Sequence, residues 1–129
     1  MTGVSPASES IASKLLRRNE IYRDFFEREA DRLALACQAM AERFLRGGRL
    51  LAFGRGVYST DAQHVSVEFI HPVIVGKRAL PAMDLSALFG PQLEALVTAE
   101  DIAMGFGPPG GDPQITDALS SARHRGAMT

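Results

Sequence analysis

The sequence predicts an α/β fold with a parallel sheet, and three observations carry that prediction. Short apolar runs at Leu50–Phe53, Ala79–Leu85 and Ile102–Gly105 each precede a segment with helical periodicity. The first run is continuously apolar, as suits a strand covered on both faces. A long amphipathic stretch ending at Gly47-Gly48 comes before any strand.

At 129 residues the chain fits one domain, and a chain of that length buries roughly two thirds of its unfolded surface. Hydrophobic residues make up 46% and charged residues 22%, which excludes a composition too polar to build a core. No apolar run approaches the roughly 18 residues of a membrane span. The start, MTGVSPASES, has no basic cluster leading into an apolar region, so a cytoplasmic location is expected. A net charge of −1 gives no electrostatic reason to expect nucleic acid or an anionic membrane as partner. Cys37 stands alone and reads as core filler on a helix's inner side.

Residues 1–9 are small and polar and are expected to form a flexible tail. The remainder, 10–129, reads as one domain: amino-terminal helices over 10–47 and an α/β part over 49–129. A short helix from Ser10 carries Ile11, Leu15 and Leu16 on one side. A second, of about seven turns, carries Ile21, Phe25, Phe26, Leu33, Cys37, Met40 and Phe44. After Gly54, Thr60 and Gln63 stand at capping-box spacing and Ala62, Val65 and Phe69 give the next helix an inward side. Pro72 ends it. Ser86–Val97 reads as a helix interrupted by Gly90-Pro91. Asp112 as N-cap and Pro113 at the first helical position mark the last helix, with Ile115, Leu119 and Ala122 inward. The helix ends in Arg125-Gly126 with no further strand, which leaves a sheet edge in need of a cover and makes self-association or a partner chain the expectation.

The crossing from strand to helix, Arg49–Glu68, gathers the polar candidates. His64 and Glu68 are four apart and share a helix face, where they could meet one ligand or metal. Gly54-Arg55-Gly56 after a strand, with Asp84 ending the next, also matches part of a dinucleotide-binding pattern, but Ser59 replaces the third glycine and Asp84 comes too late.

Asp61-Ala62-Gln63-His64 with Glu68, the later Arg78-Ala79-Leu80-Pro81-Ala82, and the flanking FFEREADRLALACQAMAERF, GGRLLAFG and ALSSARHRGA together resemble the SIS (sugar isomerase) domain family. The likeness is greatest to the phosphoheptose (sedoheptulose 7-phosphate) isomerases. It implies a parallel sheet flanked by helices, amino-terminal helices that pack into a dimer or tetramer, and a chain shortened at its C-terminal end. It further implies Glu68 as the catalytic proton-transfer group, and His64 with Glu68 as zinc ligands, as in some members. Arg55, Gly56, Ser59, Asp61, Gln63 and Asp112 fall at ligand-binding positions. The family's first loop is Gly-Asn-Gly-Gly-Ser, whereas this chain has Arg55, Val57 and Tyr58 in place of the asparagine, a glycine and the serine. Its second loop is rich in hydroxyls, whereas this chain has Gly107-Pro108-Pro109-Gly110-Gly111-Asp112, with a carboxylate where a phosphate would sit. The resemblance therefore implies two readings. One is a phosphosugar-related ligand-binding or regulatory module whose site is degenerate when alone. The other is an active phosphoheptose isomerase completed by a partner subunit, such as a full-length SIS protein, or by a missing C-terminal segment.

Overall fold

The computed structural model describes residues 6–129, with side chains from Ser10 onward. Its elements run α1 (Pro6–Leu45), β1 (Leu50–Gly54), a single 3-10 turn (Gly56–Tyr58), α2 (Ser59–Ile70), β2 (Ala82–Asp84), α3 (Phe89–Leu96), β3 (Ile102–Phe106) and α4 (Pro113–His124). The strands form one parallel sheet in the order β2-β1-β3. The predicted α/β class with a parallel sheet is the observed one. Of the tail expected over 1–9, residues 1–5 lie outside the described residues, and Pro6 already opens α1.

The chain divides into two compact units, one ending at Gln38 and one running Ala39–Thr129. In the first, the two expected helices are one: nothing between Leu16 and Ile21 breaks the backbone, since Arg17, Arg18, Asn19 and Glu20 include neither glycine nor proline. The apolar stripe predicted there is not buried in the single chain. Ile11, Leu15, Ile21, Phe25, Phe26 and Leu33 are exposed, and Cys37 is exposed with them rather than filling a core.

The second unit is a three-layer sandwich. Side chains alternate along β1, so Leu51 and Phe53 face one side and Leu50 the other. Leu51 and Phe53 pack with Leu85, Leu93, Ala103, Ile115 and Ala122, which places α3 and α4 on that face. Leu50 packs with Ala82 and Ile102 beneath Met40, Phe44, Val65 and Phe69, which places the end of α1 and α2 on the opposite face. All four residues Leu50–Phe53 are fully buried, as the continuous apolar run predicts for a central strand. Withdrawing Leu51 and Phe53 from water contributes roughly 2 kcal/mol each.

Three local expectations are corrected. Thr60 and Gln63 do not form a capping box, because the Thr60 hydroxyl donates backward to the Val57 carbonyl at 2.7 Å within the 3-10 turn. Gly90 and Pro91 do not interrupt α3 but lie in its first turn, where a missing N–H removes no helical bond. The outer edge of β3 is not bare. Met128 bridges Ile102 in parallel, its N–H donating to Asp101 at 3.0 Å and its carbonyl accepting from Ala103 at 2.8 Å.

Among the described residues no helix is long and apolar enough to cross a membrane.

Candidate functional site

Because β1 lies between β2 and β3, the chain leaves β1 toward one neighbour and returns across it to the other. The carboxyl ends of such strands, where the connections diverge, form a crevice suited to ligands. Here that crevice is a cleft of about 850 Å³. Three segments wall it: the turn after β1, the segment from Asp84 to Glu94, and the inner side of α4.

The turn after β1 is shaped by close approach. Gly54 donates its N–H to the Ser86 hydroxyl at 3.1 Å, and that hydroxyl donates to Asp84 Oδ1 at 2.5 Å. Asp84 Oδ1 also accepts the Ser86 N–H at 3.0 Å, so the ends of β1 and β2 are joined by one hydrogen-bonded corner. Gly56 takes a φ of +56°, and the Ser59 hydroxyl closes the turn on the Gly56 carbonyl at 2.7 Å. Arg55, Gly56, Ser59 and Gln63 then line the cleft.

Asp112 reaches the site through Arg55. Its Oδ1 caps α4, accepting from the N–H groups of Gln114 at 2.9 Å and Ile115 at 3.4 Å. Its Oδ2 accepts from Arg55 Nη1 at 2.9 Å. Partial burial works against the Asp112 charge, but the two amides and the guanidinium outweigh it and hold the carboxyl below its ordinary value.

The other candidates stand apart. Asp61, His64 and Glu68 do not line the cleft. Glu68 lies five residues beyond Gln63, about 7.5 Å further along the helix axis. His64 Nε2 and Glu68 Oε1 are 3.5 Å apart, with side chains 74% and 42% exposed, so the pair sits on an open helix face. Among the described residues no three His, Cys, Asp or Glu side chains gather as a metal centre needs. Two donors fall short of the three or four of a stable zinc site, so the pair alone does not fit zinc. Replacing His64 with alanine is expected to change stability by less than about 0.5 kcal/mol, because exposed pairs contribute little. Denaturant unfolding checks this, and a loss above about 1 kcal/mol would show a structural role that the geometry does not contain.

The structure adds residues that periodicity did not reveal. Asp84, Ser86, Glu94, Gln114, Asp117 and Ser121 all line the cleft. For Asp84 and Ser86 a signal existed, since a polar pair at the carboxyl end of a parallel strand occupies the place where such folds hold ligands. The α4 residues became visible only once that helix was seated beside the turn.

No family model matches the chain. It is 34% identical over 121 aligned positions to the phosphoheptose isomerase of Desulfovibrio desulfuricans, covering 81% of this chain and 58% of that protein. Against the phosphoheptose isomerase of Geobacter sulfurreducens it is 30% identical, covering 88% of this chain and 69% of the relative. With the corresponding protein of Geobacter metallireducens the identity is 30% and the coverage 95% and 73%. Among solved structures, the phosphoheptose isomerase of Neisseria gonorrhoeae superposes with a TM-score of 0.78 at 20% identity, over 94% of this chain and 71% of that one. A phosphoheptose isomerase from Francisella tularensis gives 0.65 at 20% identity, over 88% and 72%. The chain thus spans little more than half the length of the Desulfovibrio relative and 56% of that from Pelobacter propionicus.

Proposed function

The chain belongs to the phosphoheptose isomerase family, and on that premise we propose that, acting alone, it is a ligand-binding or regulatory module. Its cleft takes a sugar-sized, phosphosugar-related carbohydrate derivative and does not isomerise it. The observation that supports this reading is the separation of binding from chemistry. Arg55, Gly56, Ser59 and Gln63 line a cleft large enough for such a ligand, while Glu68 and His64 lie outside it. Proton abstraction needs the base within hydrogen-bond reach of the proton it removes, and within this chain Glu68 is not directed into the cleft. Purified chain incubated with sedoheptulose 7-phosphate is therefore expected to leave the ketose unconverted. Conversion that is abolished by Glu68→Gln would overturn the reading.

One observation favours a second reading, an active isomerase completed by a partner subunit. His64 and Glu68 keep their shared face and remain accessible, so another chain could add the missing groups there. Mixing with a full-length family member would then raise conversion above the sum of the separate activities.

Assembly belongs to the same proposal. Phe25, Phe26 and Leu33 are 43%, 56% and 40% exposed in one chain, an apolar surface suited to burial between copies of α1 in a dimer or tetramer. We place the protein in the cytoplasm, with neither a membrane nor nucleic acid as its partner. Sedimentation equilibrium is expected to give a mass at least twice 13.9 kDa; a monomer at micromolar concentration would refute self-association.

A further inference from the structure

The loop between α2 and β2 exposes three consecutive aliphatic side chains: Val73 is 80%, Ile74 62% and Val75 100% exposed. Apolar side chains scattered singly over a surface are ordinary, whereas a contiguous exposed run marks an interaction site. This run is also held in shape. Lys77 donates its N–H to the Ile74 carbonyl at 3.2 Å, and Gly76 has a φ of +84°. Together they close a four-residue turn with Val75 at its tip. Leu80 fastens the far end, its N–H donating to the Phe69 carbonyl at 2.8 Å. A turn shaped in advance loses little freedom on docking.

The charge of the turn is unanswered within the chain. Among the described residues neither Lys77 nor Arg78 forms an ion pair, whereas Arg46, Arg49 and Arg55 each do. The cleft shows the converse. Leu88, Phe89 and Pro91 give it an apolar wall, and Asp84, Glu94 and Asp117 bring carboxylates that, among the described residues, have no ion-pair partner. An apolar tip followed by two cations thus matches an apolar wall beside three carboxylates, in shape class and in sign.

The turn cannot fill its own cleft. Leu50 and Ala82 pair at the amino ends of β1 and β2, and the turn leads into that end, while the cleft opens at the carboxyl ends. The five residues of β1 alone hold the two about 15 Å apart. A two-fold axis perpendicular to the strands sets a second copy end over end. Each turn then faces the other copy's cleft, and the contact closes as a dimer.

We propose that the turn at 73–78 seats in the cleft of a second copy, so that this pairing of copies and the entry of a ligand exclude one another. The regulation rests on reading the cleft as the ligand site.

The test uses whole chains carrying Cys37→Ser. One preparation is unlabelled and bears a nitroxide on Ala79→Cys, the other is isotope-labelled, and the two are exchanged by joint refolding. The nitroxide is expected to broaden the Ser86, Leu88 and Glu94 amides of the labelled copy. Val75→Asp in both copies should abolish that broadening; Val75 is wholly exposed, so the fold has no stake in it. Lys77→Glu with Arg78→Glu should abolish it too, and adding Glu94→Lys with Asp117→Lys to the same chains should restore it. No broadening in the cleft, or broadening that survives these turn variants, would overturn the proposal. Sedoheptulose 7-phosphate is then titrated into wild type and Val75→Asp, read at the Gly54, Ser59 and Gln63 amides. Val75→Asp should bind about tenfold more tightly, because an occupant lowers apparent affinity by the fraction of clefts left open. Equal affinities would overturn the exclusion. Silence of both chains toward the sugar phosphate refutes the cleft as a sugar site, and the broadening alone then decides the docking.

Discussion

Asp101→Asn is expected to lower stability by about 3 kcal/mol, near the lower end of the range for breaking a buried ion pair. Asp101 is 1% exposed. Its carboxylate accepts from Arg49 three times, at the backbone N–H (2.9 Å), Nε (3.1 Å) and Nη2 (2.7 Å). It accepts also from the Thr98 N–H at 2.9 Å and the Thr98 hydroxyl at 3.1 Å. This one side chain thereby fastens the residue that leads into β1 to the turn that leads into β3, and so sets the register of the central strand pair. An amide in its place turns an NH2 toward donors and leaves the guanidinium without a counter-charge. The cost stays near the lower end because the Arg49 side chain is 32% exposed and retains its bond to the Leu96 carbonyl at 2.7 Å.

The same group predicts a pH dependence. Burial alone would raise the Asp101 pKa, but the bonds from Arg49 and Thr98 more than offset it and hold the folded value below the ordinary one. A depressed folded pKa means that this stabilisation is present above the unfolded value, about 3.9, and is lost as pH falls through the folded value. Denaturant midpoints measured downward from pH 5 should therefore fall more steeply for wild type than for Asp101→Asn. Parallel slopes, or a variant within about 1 kcal/mol of wild type at pH 7, would contradict this account.

Much of the fold was legible because its signals are local. Leu50–Phe53 needs no partner to announce a buried strand, and Asp112-Pro113 announces a helix start by its own chemistry. What stayed hidden depends on contacts between distant residues. Arg55 and Asp112 are 57 residues apart, and no periodicity reports that β3 brings their loops side by side. Thr60 misled for the opposite reason: capping-box spacing is satisfied on paper, yet the hydroxyl finds a nearer acceptor in the 3-10 turn. Cys37 shows the limit of a stripe, since helical spacing reveals which face is apolar but not whether the same chain covers it. The strand-turn-helix crossing was legible in the sequence, and Arg55, Gly56, Ser59 and Gln63 on it line the cleft. Asp84 and Ser86 enter the cleft only because β2 pairs beside β1.

Gly54→Ala is expected to lower stability by about 3 kcal/mol and to deform the cleft, at the upper end of what overpacking costs. A Cβ built on Gly54 would lie 2.3 Å from the Tyr58 carbonyl oxygen, 2.5 Å from its carbon and 3.0 Å from the Ser59 nitrogen. All three are backbone atoms, so no rotamer change relieves the overlap. The 3-10 turn and the first turn of α2 must withdraw together from the end of β1. That movement loosens Ala62, Val65 and Phe69 from the sheet and draws the Gly54 N–H off Ser86. Gly56→Ala is the informative control, because its Cβ would meet nothing within 4 Å and only its φ of +56° resists the substitution, at about 1–2 kcal/mol. Denaturant unfolding of both variants, with the Ser86 and Gln63 amides as reporters of the cleft, distinguishes the two sources of strain. If Gly56→Ala proves the costlier change, conformational freedom rather than the close approach of β1 to the turn shapes this corner. Should Gly54→Ala instead fall within about 1 kcal/mol of wild type with both amides unmoved, the turn has room to yield and close contact at the end of β1 does not set the cleft.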